Sequence, residues 1–188
     1  MEFLTSAISG LPEFRQLKTA VHTRALPAVV TGLSGIHKAN VIYSLCALSR
    51  RRAFVVASDE AEAQRLQRDL ESMGMHPLLY PTRDFTFRDT AATSHEYEHS
   101  RLHVLSGLLS GDCDCVIACI DAALQYTMPE TILRKRTVSL STAQEISPEA
   151  LTALLLSCGY ERAEQVEGPG QFAQRGGIFD FFPPNSTA

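Results

Sequence analysis

A chain of 188 residues with formal charge −4, 45% hydrophobic and 20% charged, is too apolar to stay disordered and too evenly charged to be an interaction tail. Its length allows one ordinary domain, or one domain with part of a second. Five cysteines without a C-x-x-C pair and no charged-then-apolar opening point to a reduced, cytoplasmic protein, no apolar run approaches the roughly 20 residues of a bilayer span, and an isoelectric point near 5.9 argues against a general nucleic-acid clamp.

From Leu26 onward, short apolar runs alternate with longer helical patterns, the signature of βαβ units around a parallel sheet. Ala28 to Thr31 is the first predicted strand, followed after Gly32 by a helix with Val41, Ile42, Leu45 and Leu48 at helical spacing and Arg50, Arg51 and Arg52 at its end. Phe54 to Ala57 is the next strand. Ser58 or Asp59 then caps a helix carrying Ala63, Leu66 and Leu70, which Gly74 ends. Pro77 to Tyr80 is a third strand, leading into a polar loop and a helix with Leu102, Leu105 and Leu109 that stops at Gly111. Cys115 to Cys119 is the fourth strand, with Asp121 as cap of a short helix that Pro129 interrupts.

The pattern changes after the basic connector Arg134-Lys135-Arg136. Val138 and Leu140 suggest a strand, and Ser147-Pro148-Glu149 is a cap, a first-turn proline and an acid that open a helix through Leu156. Gly159 stops it. Glu161 to Glu167 reads as extended, Gly168-Pro169-Gly170 as a turn, and Ile178 to Phe182 as a further strand. This second unit is α+β, small, and expected to be cut from something longer.

Four constellations bear on chemistry. Gly32-Leu33-Ser34-Gly35-Ile36-His37-Lys38-Ala39 sits where a phosphate-binding loop would, between strand and helix. Such a loop needs a glycine before the lysine, so that backbone N–H groups wrap the phosphates, and a hydroxyl after it for Mg²⁺. His37 and Ala39 hold those places, so neither ATP binding nor hydrolysis is expected. His95-Glu96-Tyr97-Glu98-His99 matches H-E-x-x-H, yet a third zinc ligand is missing: His103 lies about 12 Å along the helix from His95. A polar helix face explains the run better than a zinc hydrolase does. Cys115 and Cys119 alternate with Ile117 as small hydrophobes of a strand, and the basic triplets complement helix ends more readily than they contact DNA. No cofactor or metal is expected.

The richest stretch is Gly168 to Pro184. Arg175 precedes Gly176 and Gly177, which leave the backbone bare for a partner, with Phe172 as an apolar anchor nearby. The competing reading pairs Arg175 with Asp180 inside a hairpin, and the residues alone leave both open.

Glu167-Gly168-Pro169-Gly170-Gln171-Phe172-Ala173-Gln174-Arg175-Gly176-Gly177-Ile178-Phe179-Asp180-Phe181-Phe182-Pro183 resembles a segment shared by the transcription-repair coupling factors and the excision-repair protein UvrB. Ser157-Cys158-Gly159-Tyr160, Gly32-Leu33-Ser34-Gly35, Pro81 with Asp84, and Arg101-Leu102 fit as well, so the resemblance covers nearly the whole chain. UvrB keeps an intact loop at the position of Gly32 to Ala39, so the degenerate one favours the coupling factors. The resemblance implies a degenerate P-loop-like α/β domain over residues 1–135, a parallel sheet flanked by helices, followed over 136–188 by a small α+β domain similar to UvrB. It further implies a non-catalytic module that recruits the repair ATPase UvrA in nucleotide excision repair, with the family's contact arginine on Arg175. RNA polymerase and double-stranded DNA would be engaged by downstream domains, and no membrane is involved. An ATP-dependent helicase fragment and the zinc hydrolase are the alternatives.

Overall fold

The computed structural model of the chain describes residues 2–82, 96–141, 143 and 145–184, without the side chains of residues 2 and 4. Two compact units form, residues 1–97 with 104–125 and residues 98–103 with 126–188.

The first unit begins with a helical pair that the sequence reading passed over, α1 (Glu2–Ser9) and α2 (Pro12–Thr23). Pro12 at N1 and Glu13 in the first turn open α2. Both helices pack against α3 (Gly35–Ser49). The sheet is parallel, with strands β1 (Ala53–Ala57), β2 (Pro77–Tyr80) and β3 (Cys115–Cys119) in the order β1-β3-β2. Because β3 lies between the other two, all five of its residues are buried.

Side chains alternate across the sheet. Ala57, Cys115 and Ile117 face α3 and α4 (Glu60–Ser72), packing against Ala39, Ala63, Leu66 and Leu70. Leu78, Tyr80, Val116 and Ala118 face the other way, against Val104 of α5 (Glu96–Ser110) and Ala122 of α6 (Ile120–Ala123). The unit is therefore mixed α/β, a three-stranded parallel sheet flanked by helices.

Gly107 permits close approach of α5 to β2, because a Cβ there would meet Cδ1 of Leu78 at 2.6 Å. Leu78 is itself buried, so its Cδ1 would have to shift among packed neighbours. Gly107→Ala is expected to destabilise the protein by about 1 to 3 kcal/mol through overpacking, despite alanine's better helix propensity of roughly 1 kcal/mol. Urea denaturation checks this, and an unchanged or raised midpoint would show that Leu78 has room to move.

Several expectations need correction. Residues 28–31 form no strand: the segment has no ladder partner among the described residues, and Val29 is 86% exposed. A parallel strand is stable only when paired and covered on both faces, and a β-branched run alone supplies neither. The cap of α6 is Cys119, whose sulfur accepts from the Ala122 N–H at 3.4 Å, with Asp121 inside the first turn. Arg134-Lys135-Arg136 is the last turn of α7 (Glu130–Arg136), where cations meet the negative helix end. Val138 and Leu140 are exposed and outside any strand.

In the second unit, Ser147 caps α8 (Pro148–Ser157), its hydroxyl accepting from the Ala150 N–H at 3.2 Å. The sheet has the order β4-β5-β6, with β4 (Glu161–Arg162) parallel to β5 (Gln171–Arg175) and β5 antiparallel to β6 (Ile178–Phe181). The extended reading of 161–167 shrinks to two residues, and β5 was missed as a strand. Leu151 and Leu155 of α8 close on the fully buried Phe172, with Leu154, Tyr160 and Phe179 around them.

Candidate functional site

β5 and β6 form a two-residue hairpin whose geometry follows from its sequence. Gly176 takes φ +63 as the first turn residue, a conformation that favours glycine. Two glutamines brace the hairpin, and neither was singled out from sequence. Gln171 Oε1 accepts from the N–H groups of Glu167 and Gly168 at 2.9 and 3.2 Å, closing the Gly-Pro-Gly turn. Gln174 accepts from Thr152 of α8 at 3.3 Å and donates to the Gly176 carbonyl at 3.3 Å. Only the Thr152–Gln174 bond spans a long stretch of sequence; the other contacts close local turns, and their signal in the sequence is the glutamine placed beside each glycine turn.

Pairing places Ala173 opposite Asp180 and Arg175 opposite Ile178, so these four side chains share the sheet face opposite Phe172 and Phe181. Arg175, Ile178 and Asp180 lie together at the surface, with Ile178 66% exposed. Arg175 donates to Asp180 Oδ2 at 2.7 Å, with side chains 69% and 45% exposed. The hairpin pairing of the sequence reading is thus present in the fold. Gly176 and Gly177 lie open beside it, with nothing within 4 Å of where a Cβ would stand. The anchor expected at Phe172 is corrected: that ring is fully buried, because it packs on the α8 side of β5 against Leu151 and Leu155. Ile178 is the exposed apolar group next to Arg175.

The turn before α3 lies in the first unit. Gly32 has φ +79 and Gly35 is the first residue of α3. His37 is exposed and its Nδ1 lies 3.0 Å from the Ser34 hydroxyl. Lys38 Nζ donates to Glu62 of α4 at 2.7 Å, so a carboxylate of the chain itself holds the lysine. Ala39 is fully buried in the core and faces away from the turn. With the preceding strand also absent, the strand-loop-helix frame of a phosphate-binding loop is incomplete here.

Glu62 is the organising carboxylate at that end. It accepts from Lys38, from the Ser58 hydroxyl at 2.7 Å and from the Ser58 N–H at 2.9 Å, and these hydrogen bonds lower its carboxyl from the usual 4.5 to about 2. A carboxyl depressed in the folded state stabilises the fold above its unfolded pKa, and that stability is lost as pH falls from about 4.5 toward about 2. Solvent screening limits the pair to roughly 0.2 to 1 kcal/mol. Glu62→Gln is therefore expected to melt below the parent protein at neutral pH, with the gap closing near pH 3. A gap of equal size at both pH values would assign the effect to packing.

Of the H-E-x-x-H run, His95 lies outside the described residues, while the His99 ring rests against the second unit's glycine turn, its Nε2 3.4 Å from where a Cβ on Gly170 would stand. Among the described residues no group of three or more His, Cys, Asp or Glu could hold a metal ion. Burial pushes the Cys115 thiol up to about 12, which keeps it protonated and unreactive. No described helix is long and apolar enough to cross a membrane.

Comparison with known proteins agrees with this layout. Residues 138–188 match the UvrB interaction domain family. The transcription-repair-coupling factor of Bacillus subtilis is 27% identical over 188 residues, 99% of this chain and 16% of the relative. Those of Staphylococcus aureus and Staphylococcus epidermidis are 26% and 24% identical over 157 residues, 82% of this chain and 13% of each relative. The chain thus spans less than a fifth of the length of these relatives. Along 99% of its length the chain is similar to a transcription-repair-coupling factor, and its residues 138–188 match the UvrB interaction domain family.

Proposed function

We propose that this chain is the non-catalytic, UvrB-like recruiting module of a transcription-repair coupling factor, and that it docks the repair ATPase UvrA at stalled transcription complexes in the cytoplasm. The observation that carries the reading is the surface of the β5–β6 hairpin: Arg175 and Ile178 project from the stretch that matches the UvrB interaction domain, beside two bare glycines. An arginine next to open backbone suits a partner carboxylate, which it can engage with two N–H groups at once. RNA polymerase and double-stranded DNA belong to downstream domains in this reading, and residues 1–135 and 136–188 act as the degenerate α/β domain and the recruiting domain. Titration of purified UvrA with this chain tests it, and no saturable binding at low ionic strength would sink it.

The turn at Gly32 to Ala39 serves no nucleotide. Lys38 would have to leave Glu62, His37 stands where the loop glycine is needed, and Ala39 offers no hydroxyl and is buried. Neither Mg-ATP binding nor turnover is expected, and ATPase activity above background would revive the helicase reading. Ala39→Thr does not restore a site, because the added atoms enter a filled core.

A further inference from the structure

We infer, on the reading that UvrA docks at Arg175, that Gln174 is a positioning residue of that surface: it turns the Gly177 N–H onto the face of Arg175, so that one partner carboxylate is held by the guanidinium and a backbone donor together. The hairpin tip is a glycine pair, Gly176-Gly177, between the closing residues Arg175 and Ile178. Two glycines permit either of the two-residue hairpin turns, types I′ and II′, because neither residue resists a positive φ. The two turns differ mainly by a flip of the peptide between the glycines. Gly176 has φ +63 whereas Gly177 has no positive φ, which is the type II′ pattern.

Gln174 selects between them. Its side chain lies on the α8 face of β5, where the Thr152 hydroxyl donates to its Oε1 at 3.3 Å, and that contact fixes which end of the amide faces the turn. Its Nε2 then donates to the Gly176 carbonyl at 3.3 Å. Flipping the peptide would set an N–H against that Nε2, donor facing donor. The peptide is trans, so its carbonyl and its N–H point in opposite directions. With the carbonyl drawn to the α8 face, the Gly177 N–H points to the other face, where alternation along the strands sets Arg175, Ile178 and Asp180.

Among the described residues no acceptor of the chain takes that N–H, and nothing lies within 4 Å of where a Cβ on Gly176 or Gly177 would stand, so a partner atom can reach it. Arg175 offers a fork of N–H donors, of which Asp180 Oδ2 engages Nη2 at 2.7 Å. Asp180 sits opposite Ala173, two residues back from the turn. A partner carboxylate entering over the tip accepts from the guanidinium with one oxygen and from the Gly177 N–H with the other, a charge-assisted pair of bonds at the turn that Asp180 does not make.

Titration of purified UvrA with variants of this chain tests the assignment. Gln174→Met removes both side-chain hydrogen bonds at nearly constant volume and leaves the partner face untouched. It is expected to weaken binding about tenfold, with the folded fraction, read by circular dichroism at the titration temperature, unchanged. In the Arg175→Ala background the same substitution should cost no more than about threefold, because the guanidinium and the backbone donor serve one carboxylate. Thr152→Val, which releases only the Oε1 end of the amide, should act in the same direction by about threefold. It carries the test if Gln174→Met does not fold, and unchanged affinity then overturns the inference. A full tenfold loss in the Arg175→Ala background overturns it too, since Gln174 would then act on another contact, and so does unchanged affinity in Gln174→Met or a loss that only follows the unfolded fraction. If Arg175→Ala itself binds UvrA like the parent protein, the docking reading fails and this inference with it.

Discussion

Phe172→Ala is expected to destabilise the second unit by about 3 to 5 kcal/mol, the cost of removing a buried aromatic ring and leaving a cavity. The ring is fully buried in the middle of β5, with β4 on one side and β6 on the other, and α8 covers it through Leu151 and Leu155. Those three side chains are the buried members of the unit's hydrophobic cluster. A core this small has few other contacts to absorb the loss, and stabilities of small units are of the same order as the change. Hydrogen exchange distinguishes the units: amides of 171–175 and 178–181 should lose protection, while loss in β3 of the first unit is not required. A loss under about 1 kcal/mol would mean that the cluster collapses around the cavity or that the ring is not the centre of the core.

Phe172 also shows where sequence reading reached its limit. The motif around it is distinctive, and the resemblance built on it is the one the comparisons share, but a motif does not say which of its residues face inward. That choice depends on α8 lying on one side of β5, a contact between residues about twenty apart. Local signals fared better. Asp59 caps α4 through the Glu62 N–H at 2.7 Å, Ser147 caps α8, and Gly74, Gly111 and Gly159 each take positive φ at a helix end, because caps and turn glycines are decided within a few residues. Residues 28–31 failed for the opposite reason. Their β-branched composition favours a strand, but strand formation needs a neighbour, and composition carries no information about one. Cys115 was legible because it alternates with Ile117 on one face of β3, whereas Cys119, expected on that face, joins the cluster of Val116 and Ala118 on the other side, where the chain turns into α6 and its sulfur becomes the cap. Ala39 was read for the hydroxyl it lacks, whereas the fold uses it as a small residue that lets α3 approach the core.

Arg175→Ala is expected to weaken binding to UvrA by about 2 kcal/mol, roughly thirtyfold, with little change in melting temperature. The stability side follows from the ion pair with Asp180: both side chains are largely exposed, and such pairs contribute roughly 0.2 to 1 kcal/mol. Folding thus loses little, because the hairpin is held by its glycine turn, the Gln174 bridge and Phe172. The binding side follows from the fork of N–H donors that a partner carboxylate can take over from Asp180. Asp180→Ala separates the two roles. If Asp180 only restrains the arginine in the free protein, removing it leaves affinity unchanged or raises it, since no internal carboxylate then competes. If the pair is instead a structural element that shapes the hairpin, Asp180→Ala and Arg175→Ala lower melting temperature and affinity together. Added salt should weaken the wild-type complex and spare the Arg175→Ala complex more, because a rim charge is screened beyond about 8 Å at physiological ionic strength. Unchanged affinity in a folded Arg175→Ala protein would place the recruiting surface elsewhere on the domain.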